Sequence, residues 1–227
     1  SLVATNKAGN SDRVTVGPIE MKDDAAPPTC EIATKLDKGN LVVKAGTTLK
    51  LLGKVSGIPY PEVKIMNGDK DMFKVPKCSV NNRENETELV INGCAREHSG
   101  NYNIVATNEY GEATATCNIT VIDKPAPCTG PIRFITVMKD RMTLSWDLPK
   151  DDGGTPITNY CIEKAATNRM VWGIVTESIR VPIVTAPHLV EGNEYIFRVR
   201  AQNKMGVSHY IESSPMTAKN PFSPPSA

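Results

Sequence analysis

Apolar and polar residues alternate with a period of two along most of this chain, and the alternating runs are short. Leu49, Leu51, Gly53 and Val55 lie on one face of such a run, Val63 and Ile65 resume the inward register, and Leu89 and Ile91 repeat it. Alternation of this kind, bounded by Gly, Pro, Asn and Asp, predicts half-buried strands. Residues 31–33 and 41–43 read as edge strands, 77–80 and 87–91 as further strands, and 99–106 with 113–121 as a closing hairpin. Gly57, Pro59 and Pro61 bend the chain between strands, because proline cannot donate to an interior ladder. A second set of runs follows at 132–137, 141–146, 157–164, 170–175, 180–184, 194–201 and 209–217. Asp151-Asp152-Gly153-Gly154-Thr155-Pro156 is a turn cluster inside it. Trp146 and Trp172 have the bulk to fill an interior, and Tyr195, after the turn Glu191-Gly192-Asn193, is placed to pack its ring and bond its hydroxyl to nearby backbone. Two sets of about seven short strands predict an all-β chain of tandem β-sandwiches.

A repeat sharpens this organisation. Shifting the sequence by 197 positions lays residues 2–28 over 199–225 without a gap, with nine of 27 identical: Ala4, Asn6, Lys7, Gly9, Ser11, Pro18, Lys22, Pro27 and Pro28. The opening phrase, Val-Ala followed by Asn and then Gly three places on, occurs again at Val105-Ala106-Thr107-Asn108-Glu109-Tyr110-Gly111. Such a spacing is too long for one small sandwich and suits two. Residues 1–22 therefore read as strand, hairpin, strand, with a turn at Asn6-Lys7-Ala8-Gly9 and a strand at 13–16. Residues 23–28 and 123–129 are proline-containing joints, short enough to restrain neighbouring modules.

Charge excludes some partners. Lys plus Arg is 26 against 25 for Asp plus Glu, and neither half of the chain carries a basic block. A phosphate-backbone footprint is absent, so nucleic acid is excluded as a partner. No apolar run approaches the length of a membrane span, so no membrane association is expected. The six cysteines fall at 30, 78, 94, 117, 128 and 161. No two stand within four residues, which excludes the usual zinc spacings, and free thiols of this kind suit a reducing compartment. Three histidines without a recurring acid or nucleophile context give no acid-base pair, and Asp151–Pro156 lacks the Gly and Lys spacing of a phosphate loop. The chain is expected to be no enzyme and to need no cofactor or metal. Function then falls to surfaces. Arg198 and Arg200 alternate with Phe197 and Val199, so both project outward and are candidate contacts for an acidic partner. The sequons at Asn85-Glu86-Thr87 and Asn118-Ile119-Thr120 keep an extracellular reading open.

These residues carry a family resemblance. Trp146, the turn at 151–156, Tyr160, Leu189 and the stretch from Glu191 to Asn203 with Gly206 resemble a fibronectin type III module. Residues 29–122 resemble an intermediate-set immunoglobulin module through Gly57, Pro59, Pro61, Leu89, Ile91 and Ser99-Gly100-Asn101-Tyr102. The chain departs from that set where Gly53 and Ile104 occupy the disulfide positions, Ile65 the core tryptophan position, and His98 the aspartate before Ser-Gly. Disulfide-free modules of these two types, joined by short proline-containing segments, resemble the thick-filament region of the titin and twitchin-projectin family of giant sarcomeric proteins. Myosin-binding protein C and the obscurin family use the same units.

The resemblance implies four segments: 1–26, closing strands and linker of a preceding type III module; 27–123, an immunoglobulin-like domain; 124–219, a type III domain; and 220–227, a linker to a following module. It implies a cytoplasmic scaffold in the sarcomeric A-band that bears load, spaces thick-filament components, and has neighbouring modules and myosin as partners. Proteins of this kind carry a kinase domain elsewhere in the chain. The alternative is an ectodomain of a cell-adhesion protein or receptor, built of the same modules.

Overall fold

The structure, a computed structural model, describes residues 3, 5–12 and 25–221. It opens on an antiparallel hairpin of β1 (Thr5–Asn6) and β2 (Gly9–Asn10), with Asn6 opposite Gly9. The strand expected at 13–16 and the first part of the joint at 23–28 lie outside the described residues.

The first sandwich holds β3 (Ala26–Ile32), β4 (Asn40–Lys44), β5 (Leu49–Ile58), β6 (Glu62–Asn67), β7 (Lys70–Asp71), β8 (Cys78–Arg83), β9 (Glu86–Ile91), β10 (Gly100–Asn108) and β11 (Gly111–Ile122). One sheet runs β3-β5-β9-β8 and the other β4-β11-β10-β6-β7. The chain leaves the first sheet after β3, where the Ala33 and Thr34 amides both donate to Leu52 O. A turn with positive φ at Lys38 and Gly39 then sends it to the second sheet, where β4 lies parallel to β11. The alternating residues named above do face inward: Leu49, Leu51, Val55, Val63, Ile65, Leu89 and Ile91 are buried, with Tyr102 and Ile104 from β10 and Cys117, Ile119 and Val121 from β11.

Where a sandwich of this kind would carry its disulfide, the core is closed by shape. A Cβ built on Gly53 would lie 2.6 Å from Ile104 Cδ1 and 3.0 Å from Thr87 Cγ2. Gly53 is thus the space that Ile104 fills. All six cysteines are free. Burial raises the thiols of Cys30, Cys78, Cys117 and Cys161, and pushes Cys128 up to about 11, so they remain protonated and unreactive near neutrality.

His98, in a single 3-10 turn at Arg96–His98, accepts the Ala95 amide through Nδ1 at 2.9 Å, while its carbonyl accepts the Tyr102 hydroxyl at 2.8 Å. It thereby closes its own turn. That is a structural role.

The second sandwich holds β12 (Thr129–Val137), β13 (Met142–Asp147), β14 (Asn159–Ala166), β15 (Gly173–Ile179), β16 (Ile183–Ala186), β17 (Glu194–Asn203), β18 (Gly206–Val207), β19 (Ile211–Glu212) and β20 (Met216–Thr217). Its sheets are β12-β13-β16 and β15-β14-β17, with β18, β19 and β20 pairing in turn along β17. Trp146 is buried edge-on against Tyr160, and the Tyr195 hydroxyl accepts the Val190 amide at 3.0 Å, as its position beside the turn predicts.

Three expectations fail here. The strand expected at 170–175 starts at Gly173, because the Arg169 and Met170 amides both close a turn on Ala166 O and Met170 adopts a positive φ. The one expected at 180–184 starts at Ile183, after a proline at 182. The run at 209–217 is broken into short pairings, because the hydroxyls of Ser208 and Ser213 accept the Ala201 and Phe197 amides, standing in for ladder carbonyls. Trp172 is also misplaced by the sequence reading. It is half-buried on the outer face rather than in the core.

Gly53→Ala should cost about 1–3 kcal/mol, the usual range for an overpacked core, and Ile104→Val, which removes the clashing Cδ1, should recover part of that loss. Urea unfolding of the single and double variants measures both effects.

Candidate functional site

The chain passes from one sandwich to the other between β11 and β12, and backbone groups there would be left without partners unless turns of the second sandwich supply them. Asp123 N donates to Gly153 O at 2.8 Å and Ala126 N to Asp151 O at 3.0 Å. The buried Asn203 supplies the rest. Its Nδ2 donates to Asp123 O at 2.8 Å and to Asp152 O at 2.7 Å, while its Oδ1 accepts the amides of Met205 and Gly206. One side chain therefore ties the joint, the 151–156 turn and its own hairpin together.

The same device stands where the chain enters the first sandwich. Asn108 Nδ2 donates to Ala26 O and to Pro59 O, each at 3.0 Å, and Oδ1 accepts Tyr110 N at 2.9 Å. In the opening hairpin, Asn6 Oδ1 accepts Ala8 N at 2.8 Å, and the pairings Asn6 with Gly9 and Thr5 with Asn10 reproduce Asn203 with Gly206 and Gln202 with Val207. The glycine adopts a positive φ in all three copies, which is why the phrase requires Gly there.

A charged clamp fastens the second joint from the other side. Arg96, on the closing turn of the first sandwich, meets Asp151 with two guanidinium nitrogens, Nε to Oδ2 at 3.0 Å and Nη2 to Oδ1 at 2.9 Å. Its Nη1 reaches Ser99 Oγ and Val121 O, so the guanidinium is oriented before it meets the carboxylate. The hydrogen bond to Arg96 holds the Asp151 carboxyl below its ordinary value against the opposing effect of burial, and Gly153 N adds to it. Both glycines of the turn have positive φ. A Cβ on Gly153 would meet Lys124 O at 2.8 Å, and one on Gly154 would meet Val121 O at 3.0 Å. Side chains at either position would push the two sandwiches apart.

The two arginines singled out by the sequence do project from the outer face of β17, and each is stacked. Arg198 Cζ lies 3.7 Å from the Trp172 ring centroid and 4.1 Å from that of Tyr210, and Arg200 Cζ lies 5.6 Å from Tyr210. Arg198 Nε bonds Glu212 at 2.9 Å, whereas Arg200 approaches Glu163 only at 3.6 Å and its Nε has no hydrogen-bond partner. Trp172 and Tyr210 were missed as members of this row. Arg96 and Asp151 carried no signal beyond the turn in which each sits. No group of side chains among the described residues could hold a metal ion.

Comparison with known proteins gives the same two kinds of sandwich. Residues 31–121 match the immunoglobulin I-set domain family and residues 125–219 the fibronectin type III domain family. The human slow-type myosin-binding protein C is 33% identical over 220 residues, covering 96% of this chain and 19% of its own length. Titin of Drosophila melanogaster is 30% identical over 227 residues, all of this chain and 1% of that protein. A crystal structure of consecutive titin domains is 29% identical, covering 96% of this chain and 73% of that one at a TM-score of 0.48. The first sandwich is thus an immunoglobulin I-set module and the second a fibronectin type III module, homologous to those of titin and myosin-binding protein C. It spans about a fifth or less of the length of these first curated relatives.

Arg96→Ala and Asp151→Asn should each leave both sandwiches folded and let them tumble more independently, seen as divergent rotational correlation times in 15N relaxation. The folded Asp151 carboxyl titrates below its unfolded value, so the clamp is fully present above the unfolded value and is lost as pH falls through the lower folded one. An acid titration should therefore loosen the joint only below the ordinary carboxylate range, and Asp151→Asn should abolish that step.

Proposed function

We propose that this chain is a segment of a structural scaffold of the sarcomeric thick filament, cytoplasmic and placed in the A-band. Its joints set the spacing and angle of successive modules. The reading rests on homology to titin and myosin-binding protein C and, within the chain itself, on the Arg96–Asp151 and Asn203 clamps, which make the passage between modules a packed connection rather than a tether. In this reading residues 1–26 are the closing strands and linker of a preceding type III module, 27–123 the immunoglobulin-like module, 124–219 the type III module, and 220–227 the lead into the next. The three matching Asn-Gly hairpins support that division.

Load bearing follows from topology. In the first sandwich the chain enters through β3, crosses to β4 in the other sheet and leaves from β11, and β4 and β11 run parallel over five paired residues, 40–44 with 118–122. Tension applied at the ends shears that ladder, so its bonds resist together instead of opening one at a time.

Neighbouring modules are the first partners, and myosin or another thick-filament protein is the second. The contact is assigned to Arg198 and Arg200. Arg200 is 38% exposed in its side chain and stands only 3.6 Å from Glu163, so the exposed part of its guanidinium can meet an acidic surface, while its Nε is buried and takes no part. Neither a cofactor nor a catalytic step enters the role.

The test is binding of the array, with flanking modules restored, to myosin rod and light meromyosin. Binding is expected, and Arg200→Ala should weaken it by ~1 kcal/mol or less, the scale of a partly exposed charge contact. Absence of binding by the longer array would rule out the myosin contact and leave the spacer role. Glycans on Asn85 or Asn118 in native material would instead favour an adhesion or receptor ectodomain. A single-molecule extension trace that unfolds the first sandwich at very low force would rule out load bearing.

A further inference from the structure

Asn followed by Gly occurs twice in this chain, at Asn67-Gly68 and Asn92-Gly93, and Asp followed by Gly once, at Asp152-Gly153. Such pairs share a latent reaction. The main-chain nitrogen of the glycine, with no side chain beside it, can approach the preceding side-chain carbon and attack it. Folding decides which pair is free to react, because the nitrogen must be unbonded and the attacked side chain loose.

Two of the three pairs are held. Asn67 lies inside a ladder, opposite Tyr102 on one side and Lys70 on the other. Its carboxamide oxygen packs on Gly100 so closely that a Cβ there would collide with it, and Gly68 N donates to Asn101 O at 3.4 Å. At the second joint Gly153 N donates to Asp151 Oδ1 at 3.1 Å, and Asp152 Oδ1 accepts Gly154 N at 2.8 Å. Asn92-Gly93 differs in each respect. Both residues are exposed just beyond the end of β9, and Gly93 N has no hydrogen-bond partner among the described residues. The Asn92 side chain is engaged through Oδ1, which accepts the Thr48 hydroxyl at 3.2 Å. That hydroxyl stands where negative charge gathers when the amide carbon is attacked.

We propose that Asn92 is a site of spontaneous conversion to aspartate and isoaspartate in the folded protein. The bond from Gly93 N to Asn92 Cγ forms, the bond from Cγ to Nδ2 breaks, and ammonia leaves with the proton lost by Gly93 N. Water then opens the cyclic imide at either carbonyl. Attack at one carbonyl gives aspartate; attack at the other gives isoaspartate, whose main chain carries one extra methylene. That methylene enters between two fixed points, Ile91 at 0% and Cys94 at 1% exposure. Cys94 is held by its N on Thr47 O at 2.9 Å, by its O on Gly46 N at 2.7 Å and by its Sγ on Lys44 O at 3.2 Å. The longer link disturbs this seat and the 44–47 turn that rests on it.

The test holds the folded chain at mildly alkaline pH, where a glycine amide gives up its proton more readily, and locates converted residues by peptide mass spectrometry. Isoaspartate is identified by its selective carboxyl methylation from S-adenosylmethionine. Asn92 is expected to convert at least about tenfold faster than Asn67, which must wait for its ladder to open. In urea, with the fold removed, the two rates should converge. Equal rates in the folded chain, or faster conversion at Asn67, would overturn the proposal. Asn92→Gln, at an exposed position, should leave folding intact and abolish the signal. Converted protein should unfold at lower urea than Asn92→Asp, which carries the charge without the lengthened main chain; coincident midpoints would overturn the effect assigned to the Cys94 seat.

Discussion

A backbone carbonyl at a module boundary must find a donor, and in this chain an asparagine amide provides it. Each clamp asparagine sits at the end of a strand, in a turn whose glycine takes a positive φ, and its side chain reaches across to main chain about 80 residues earlier. Because the amide has two donors and an acceptor, it can bond the arriving joint, a neighbouring turn and its own hairpin at once. The module's closing hairpin thereby becomes the fixture for its own starting point. The short joints, the crowded glycines at 153 and 154, and the approach of Arg96 to Asp151 all depend on that fixture.

Once the joint is fastened, the rest of the architecture acquires a direction. The first sandwich pairs β4 in parallel with its last strand, β11, and the second receives the chain through a turn too crowded for side chains. The core does not rely on covalent cross-links. Gly53 and Ile104 fill the inter-sheet space by complementary shape, and the Cys117 and Cys128 thiols, raised by burial, stay protonated. Such a design suits a compartment where disulfides do not persist.

The outer face of the second sandwich shows how a sequence pattern can name the right residues and miss their setting. Alternation placed Arg198 and Arg200 outward, which is correct. It could not supply Trp172 and Tyr210, whose rings stack with Arg198, because those residues come from other segments of the chain. A tryptophan in a sandwich sequence reads as core by default, and Trp172 fails that default because a cation stacked on its ring replaces apolar burial.

The sequence by itself determined the strand faces, the two-sandwich count, the missing disulfide and the repeat that marks each closing hairpin, since these depend on residues two to four apart and on the conformational demands of Gly and Pro. Only the tertiary structure decided what each asparagine holds, which arginine meets which aspartate, and that the serines of the last run break it into short pairings. Those contacts join residues from seven to more than 80 positions apart in sequence, and such partners leave no periodic trace. They are fixed only when two folded surfaces come together and the remaining polar groups find the one arrangement in which each is bonded.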